Sequence, residues 1–221
     1  MAKAVLFDFN GVLLLDRKWH EDAWNELSKY IRDKDLNKEG FEQYIHGRSP
    51  RDTLGYILGH PVSSEELKNY LDKKESLYQK LALGSGDKFK LTLGAIELFE
   101  ILDENNIKKT IATSSPLVNV KFYYKHLGLE KWFPFQDIVY DDGTFQSKPA
   151  PDIYLKAAKR INTAIKNCVV IEDARSGVES AKKAGAGKII LLINKDNQDT
   201  AKKLKVDKVI RSLNEIKLED F

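Results

Sequence analysis

From residue 84 onward, short apolar runs alternate with segments of helical periodicity, and this alternation most constrains the fold. Apolar runs at 109–113, 137–140, 167–171, 188–192 and 206–210 read as strands. Helical patterns at 93–105, up to 126, at 149–162 and at 176–184 separate them. That order predicts a parallel sheet with helices on both faces. One more buried strand is expected at 4–7, where Ala4-Val5-Leu6-Phe7 precedes Asp8-Phe9-Asn10-Gly11. It is cut off from the others by 16–83, which carries helical patterns at 19–31, 38–46, 51–58 and 64–82 and no strand pattern. The expected fold class is therefore α/β, a doubly wound parallel-sheet core with an inserted helical domain. The core is discontinuous, 1–15 plus 84–221, with Gly84-Ser85-Gly86 as the return joint.

Composition narrows the function. The 36 basic and 33 acidic side chains are interleaved and leave a net charge of only +3. This argues for a solvated surface and against nucleic-acid binding. No apolar stretch approaches the length of a membrane span. The single cysteine, Cys168, lies in an apolar run and has no partner for an internal disulfide. A reducing compartment suits such a chain, and no signal-peptide pattern opens it, so a cytoplasmic location is expected.

Ligands of open α/β sheets bind outside the carboxyl ends of the strands. Asp8 follows the first strand, and Thr113-Ser114-Ser115 follows the second, where Ser114-Ser115-Pro116 reads as a helix start. Lys148 lies in the loop beyond the third, and Glu172-Asp173 ends the fourth. Asp8, Glu172 and Asp173 supply hard oxygen ligands suited to Mg²⁺. Hydroxyls and N–H groups at a helix start suit a phosphate, and Lys148 adds positive charge for its oxygens. Asp8 could then act as a nucleophile, because carboxylates form aspartyl-phosphates.

These residues resemble the haloacid dehalogenase superfamily, specifically its β-phosphoglucomutase-like phosphatase branch. Phe7-Asp8-Phe9-Asn10-Gly11-Val12 resembles the first motif and Ile111-Ala112-Thr113-Ser114-Ser115 the second. Lys148-Pro149-Ala150-Pro151-Asp152-Ile153-Tyr154 is similar to the third. Val170 to Val178, followed by Ala184-Gly185, is similar to the fourth. The resemblance implies a Rossmann-like core with a helical cap closing over a small phosphorylated substrate, an architecture that can work as a monomer. It implies Asp8 as nucleophile, and Mg²⁺ held by Asp8, the backbone carbonyl of Asn10 and Asp173, with Glu172 nearby. Thr113, Ser114 and Lys148 would hold the phosphoryl group. His46-Gly47-Arg48-Ser49 resembles the substrate-facing cap loop, and His20 and Trp24 fall where this branch carries them. Gly47, Arg48 and His20 are thereby expected at the substrate.

One departure stands out. The family's phosphotransferases usually carry aspartate two residues after the nucleophile, where this chain has Asn10. An amide can hydrogen-bond there but cannot shuttle a proton. Three outcomes are consistent with the sequence: a phosphatase limited to good leaving groups, a phosphatase using another acid such as Asp16 or His20, or a phosphate- and Mg²⁺-binding protein with little turnover. A phosphosugar mutase ranks lower, because it needs proton transfers that Asn10 serves poorly.

Overall fold

The computed structural model describes residues 3–45, 49–194, 197–198 and 204–221. It divides into two compact units, one formed by residues up to Leu15 with Lys90–Phe221, the other by Asp16–Phe89.

The first unit is built on a six-stranded parallel sheet. Its strands are β1 (Ala4–Phe7), β2 (Lys108–Pro116), β3 (Val139–Asp141), β4 (Cys168–Glu172), β5 (Lys188–Leu192) and β6 (Lys208–Ile210), in the order β3-β2-β1-β4-β5-β6. All of β1 is buried, as a central strand covered on both faces requires. On one face Leu6 and Val170 pack with Tyr154, Ala157, Val178 and Ala181 from helices at Asp152–Arg160 and Arg175–Ala184. On the other, Phe7 meets Phe99, of the helix at Ala95–Glu104, edge to face at 5.4 Å, and Phe133 joins them. Phe7 is level with both Ile111 and Ile171, so the carboxyl ends of β1, β2 and β4 come out together. That register, with β1 at the point where the strand order reverses, creates the site.

The second unit contains α1 (Arg17–Arg32), α2 (Lys38–Tyr44), α3 (Pro50–Leu58) and α4 (Ser64–Gly84), around Trp24, Leu27, Leu54 and Ile57. Asn37, Ser49 and Ser63 cap α2, α3 and α4 through their side chains. The unit runs on to Phe89, past the joint expected at 84–86. Helix α4 continues through Gly84, and Phe89 then meets the Trp19 ring of α1 at 5.9 Å, tying that segment to the helices. No helix among the described residues is long and apolar enough to cross a membrane.

Two local expectations change. The helix expected to start at Ser114-Ser115-Pro116 starts at Leu117 instead, and Ser114 and Ser115 continue β2. The ladder from β2 to β3 breaks between Thr113 and Pro116, which frees Ser115 to turn its hydroxyl inward. The helix expected over 149–162 covers only Asp152–Arg160, since Pro149 and Pro151 lack the N–H groups that a helix interior needs.

Candidate active site

Asp8 emerges from β1 with its N–H on Ile171 O, so the ladder to β4 holds its backbone. Its side chain is buried. One oxygen, Oδ1, accepts from Lys148 Nζ at 2.6 Å. The same ammonium donates to Glu172 Oε1 at 2.6 Å and to Ala112 O at 3.3 Å. A residue 140 positions away in the chain thus has all three of its protons assigned at this edge. Burial alone would lower the Lys148 pKa, but the charges of Asp8 and Glu172 outweigh it and hold the ammonium above the usual lysine range. Burial pushes the Asp8 carboxyl up to about 7; Lys148 pulls it down and Glu172 adds to the rise.

Glu172 is 1% exposed and its two oxygens divide their work. Oε1 takes Lys148 and the Tyr154 hydroxyl at 2.6 Å, and Oε2 accepts from the N–H groups of Asp173 and Ala174. Glycine at 177 makes room for it, since a Cβ there would stand 1.7 Å from Oε1. Burial and the neighbouring Glu172 raise the Tyr154 hydroxyl well above the usual tyrosine range, so it stays a donor. Glu172 is therefore the anchor of Lys148, a task its sequence position did not announce.

One carboxylate oxygen from each of Asp8, Glu172 and Asp173 lies within 4.8 Å of the others. Lys148 brings one positive charge to Asp8 and Glu172 in this largely buried place. Gly11, at φ +89°, lets the loop after β1 pass beneath Asp173, where a Cβ would stand 2.1 Å from Oδ2. A hard divalent cation fits such a donor set.

Asn10 is fixed by its side chain. Its Oδ1 accepts from Ser115 Oγ at 2.7 Å and from Thr113 Oγ1 at 3.3 Å, and its Nδ2 donates to the Tyr123 hydroxyl at 3.1 Å. Tyr123 in turn stacks on Phe9 with ring centroids 4.4 Å apart. Thr113, Asn10, Asp8, Lys148, Glu172 and Asp173 are thus gathered on the core unit. Ser114 is exposed at the break in the ladder.

His20 belongs to the helical unit. Its Nδ1 is 2.8 Å from Lys74 Nζ, its Nε2 is 3.3 Å from Asp16 Oδ2, and its ring stacks on Tyr78 at 4.0 Å. Gly47 and Arg48, with His46, lie outside the described residues. Arg51, three residues beyond Arg48, donates to Val62 O. Sequence reasoning placed Ser115 at the site only as a helix-start hydroxyl, not as the partner of Asn10, and missed Tyr123 and Tyr154. Tyr154 could have been found from its place in the Lys148-to-Tyr154 motif, whereas nothing local marks Tyr123.

Comparison with known proteins gives a consistent picture. The family model for haloacid dehalogenase-like hydrolases matches residues 2–185. A haloacid dehalogenase hydrolase of family IA, variant 3, from Entamoeba histolytica is 41% identical in sequence. It superposes with a TM-score of 0.92 over 99% of this chain and 96% of that one. A β-phosphoglucomutase from Clostridium difficile is 28% identical with a TM-score of 0.79, over 100% and 95% of the two chains. A phosphorylated carbohydrates phosphatase of Thermotoga maritima is 28% identical, over 90% of this chain and 89% of its own.

Proposed function

Since the chain belongs to the haloacid dehalogenase-like hydrolases, we propose that it is a Mg²⁺-dependent phosphatase of small, sugar-phosphate-like metabolites, acting through an aspartyl-phosphate on Asp8. The observation that carries this reading is the buried Lys148 held at 2.6 Å from both Asp8 and Glu172, with Asp173 beside them. An ammonium so placed holds the nucleophile in position and faces the charge that builds on a transferring phosphoryl group. The relatives named as phosphatases support the reaction class, and the phosphorylated carbohydrates named for one of them support the substrate class.

The Asp8 and Asp173 carboxylates, with the Asn10 backbone carbonyl, would hold Mg²⁺, and Glu172 stands close by. What the ion supplies when bound is neutralisation of the phosphoryl oxygens. Asp8 attacks phosphorus, and the leaving oxygen departs with the electron pair of the broken P–O bond. Water then attacks the aspartyl-phosphate, the bond to Asp8 breaks, and the carboxylate is restored. Thr113 and Ser114 line the phosphoryl position, and in the helical unit His20, Gly47 and Arg48 serve the rest of the substrate.

A second reading rests on Asn10. Its amide is held by three hydroxyls and brings no exchangeable acid, as in a protein that binds phosphate and turns it over poorly. Fresh protein incubated with Mg²⁺ and a panel of phosphate esters and acyl phosphates separates the two, with Asp8→Asn as control. Sustained phosphate release that disappears in the control supports the phosphatase. Binding without release or phosphoprotein supports the second reading.

A further inference from the structure

We propose that the core unit carries a second ligand site, for a nucleotide, in a cavity at the edge of its sheet. The cavity measures about 460 Å³ and lies beside β3, the last strand at one end of the sheet order. Asp8, Lys148, Glu172 and Asp173 do not line it, so it is apart from the candidate active site and does not depend on the phosphatase reading.

Three cations line this cavity. Lys156, Lys159 and Arg160 stand at i, i+3 and i+4 on the helix at Asp152–Arg160, so they share one side of it. The Asp142 carboxylate lines the cavity with them, and its Oδ1 already accepts from the Thr144 N–H and hydroxyl. The lining is positive in balance, which calls for an anion. Its cations are also able to take one. Among the described residues, the Lys159 ammonium has no hydrogen-bond or ion-pair partner. Arg160 gives Nη1 to Gln136 O, and a guanidinium has further N–H groups to give. Lys156 donates to Thr144 Oγ1 at 2.8 Å, a neutral partner that an ionised phosphate oxygen outcompetes.

Two aromatic rings complete the lining. Phe145 is half-buried, with Lys156 Nζ 4.0 Å from its centroid. Tyr140, in the middle of β3, is half-buried and has no ring partner among the described residues. Cations set beside rings are what a phosphate joined to a flat base requires. The helix dipole also favours cations in a last turn, and that would account for Lys159 and Arg160 alone. It calls for neither the cavity nor the rings. A bare phosphate would use the cations and leave the rings idle, and an uncharged nucleoside would do the reverse. A nucleotide uses both, and the volume lies within the range of small-molecule sites.

Isothermal titration calorimetry on the full chain with ADP tests the proposal, in EDTA and without Mg²⁺ so that turnover does not intervene. Pyrophosphate and adenosine are titrated alongside. The expected result is one ADP per chain, bound about tenfold more tightly than pyrophosphate, the worth of one stacked ring. Adenosine should bind more weakly than either. Lys159→Glu should weaken ADP by about tenfold or more, the usual worth of a charged hydrogen bond. Phe145→Leu should lose most of the preference for ADP over pyrophosphate. Lys148→Met should leave ADP binding unchanged, because that lysine serves the other site. Thermal melts check that each variant is folded. Absence of ADP binding at millimolar concentration overturns the proposal. ADP binding unmoved by Lys159→Glu also overturns it, as does binding lost in Lys148→Met, which would move the nucleotide to the Asp8 cluster. Pyrophosphate bound as tightly as ADP overturns the nucleotide assignment, because the rings then contribute nothing.

Discussion

Each unit holds a buried lysine beside carboxylates, Lys148 in one and Lys74 in the other, and these two are shifted in opposite directions. Lys148 in the core faces both Asp8 and Glu172 at 2.6 Å, and its pKa rises above the usual range. Lys74 in the helical unit is 4% exposed and pairs with Glu75 at 3.1 Å. Its pKa falls, because burial outweighs the attraction of Glu75 and the more distant Asp16. Burial acts on both in the same sense. What differs is the number of carboxylates in direct contact: two hold a proton firmly, whereas one leaves it weakly held. Lys148 is therefore a permanent positive charge, suited to phosphate, and Lys74 a structural donor to the His20 ring.

The largest expected effect breaks the core half of this comparison. Lys148→Met removes the charge that faces Asp8 and should lower kcat by about 10²–10³, the usual loss for one electrostatic donor. Phosphate release from acetyl phosphate under saturating Mg²⁺ measures it, and an unchanged kcat would show that Lys148 only packs.

Lys74→Met takes a buried cationic partner from Glu75 and should destabilise the protein by about 3–5 kcal/mol. Adding Glu75→Gln should return much of that loss, because the second change removes the carboxylate charge that Lys74 faced. Urea melts of the single and double variants decide this, and additive losses would mean the pair is not coupled.

The carboxylates of the core cluster give a third test. Mg²⁺ at about 100 times its Kd should raise stability by about 2.7 kcal/mol, visible as a higher Tm. Asp173→Asn should lose most of that rise, since it removes a carboxylate that Lys148 does not touch. A full Mg²⁺ response in this variant would move the cation away from Asp173.

The smallest effect sharpens the comparison by inverting it. Asp220 is one acid between two lysines, Lys208 at 2.6 Å and Lys188 at 3.2 Å. Burial works to raise its pKa, but these partners and the Lys217 N–H bring it to about 2. A pKa below that of the unfolded chain stabilises the fold fully above about pH 4, and the contribution is lost as pH falls through 2. It is on the order of 2 kcal/mol. Asp220→Asn should thus lower the Tm at neutral pH and flatten its fall between pH 4 and pH 2, and an unflattened fall would assign that acid sensitivity to other groups.

Much of the fold was legible because parallel strands and their helices carry strong local signals. The 4–7 and 188–192 runs match the strands found there, and the helical segment has no strand among its described residues. Boundaries at proline and serine were less legible. Ser114-Ser115-Pro116 has the composition of a helix cap, yet its backbone stays extended because Ser115 finds Asn10 across the sheet edge. Likewise Asp16 stands where a cap belongs but makes no capping bond, and its carboxylate meets the Tyr78 hydroxyl 62 residues on. Short polar side chains choose between local and distant partners, and a local reading sees only the first kind.

The sequence by itself determined the order of elements, the discontinuous core, the identities of Asp8, Lys148, Glu172 and Asp173 at strand ends, and the amide at position 10. These follow from apolar periodicity and from chemistry carried by single residues. Only the tertiary structure decided that Glu172 anchors Lys148 through Tyr154, that Ser115, Thr113 and Tyr123 clamp Asn10, and that two buried lysines meet opposite fates. The physical reason is range. A strand or helix is specified by neighbours a few positions away, whereas the charge state of a buried group depends on burial and on partners brought to it by strand order and register.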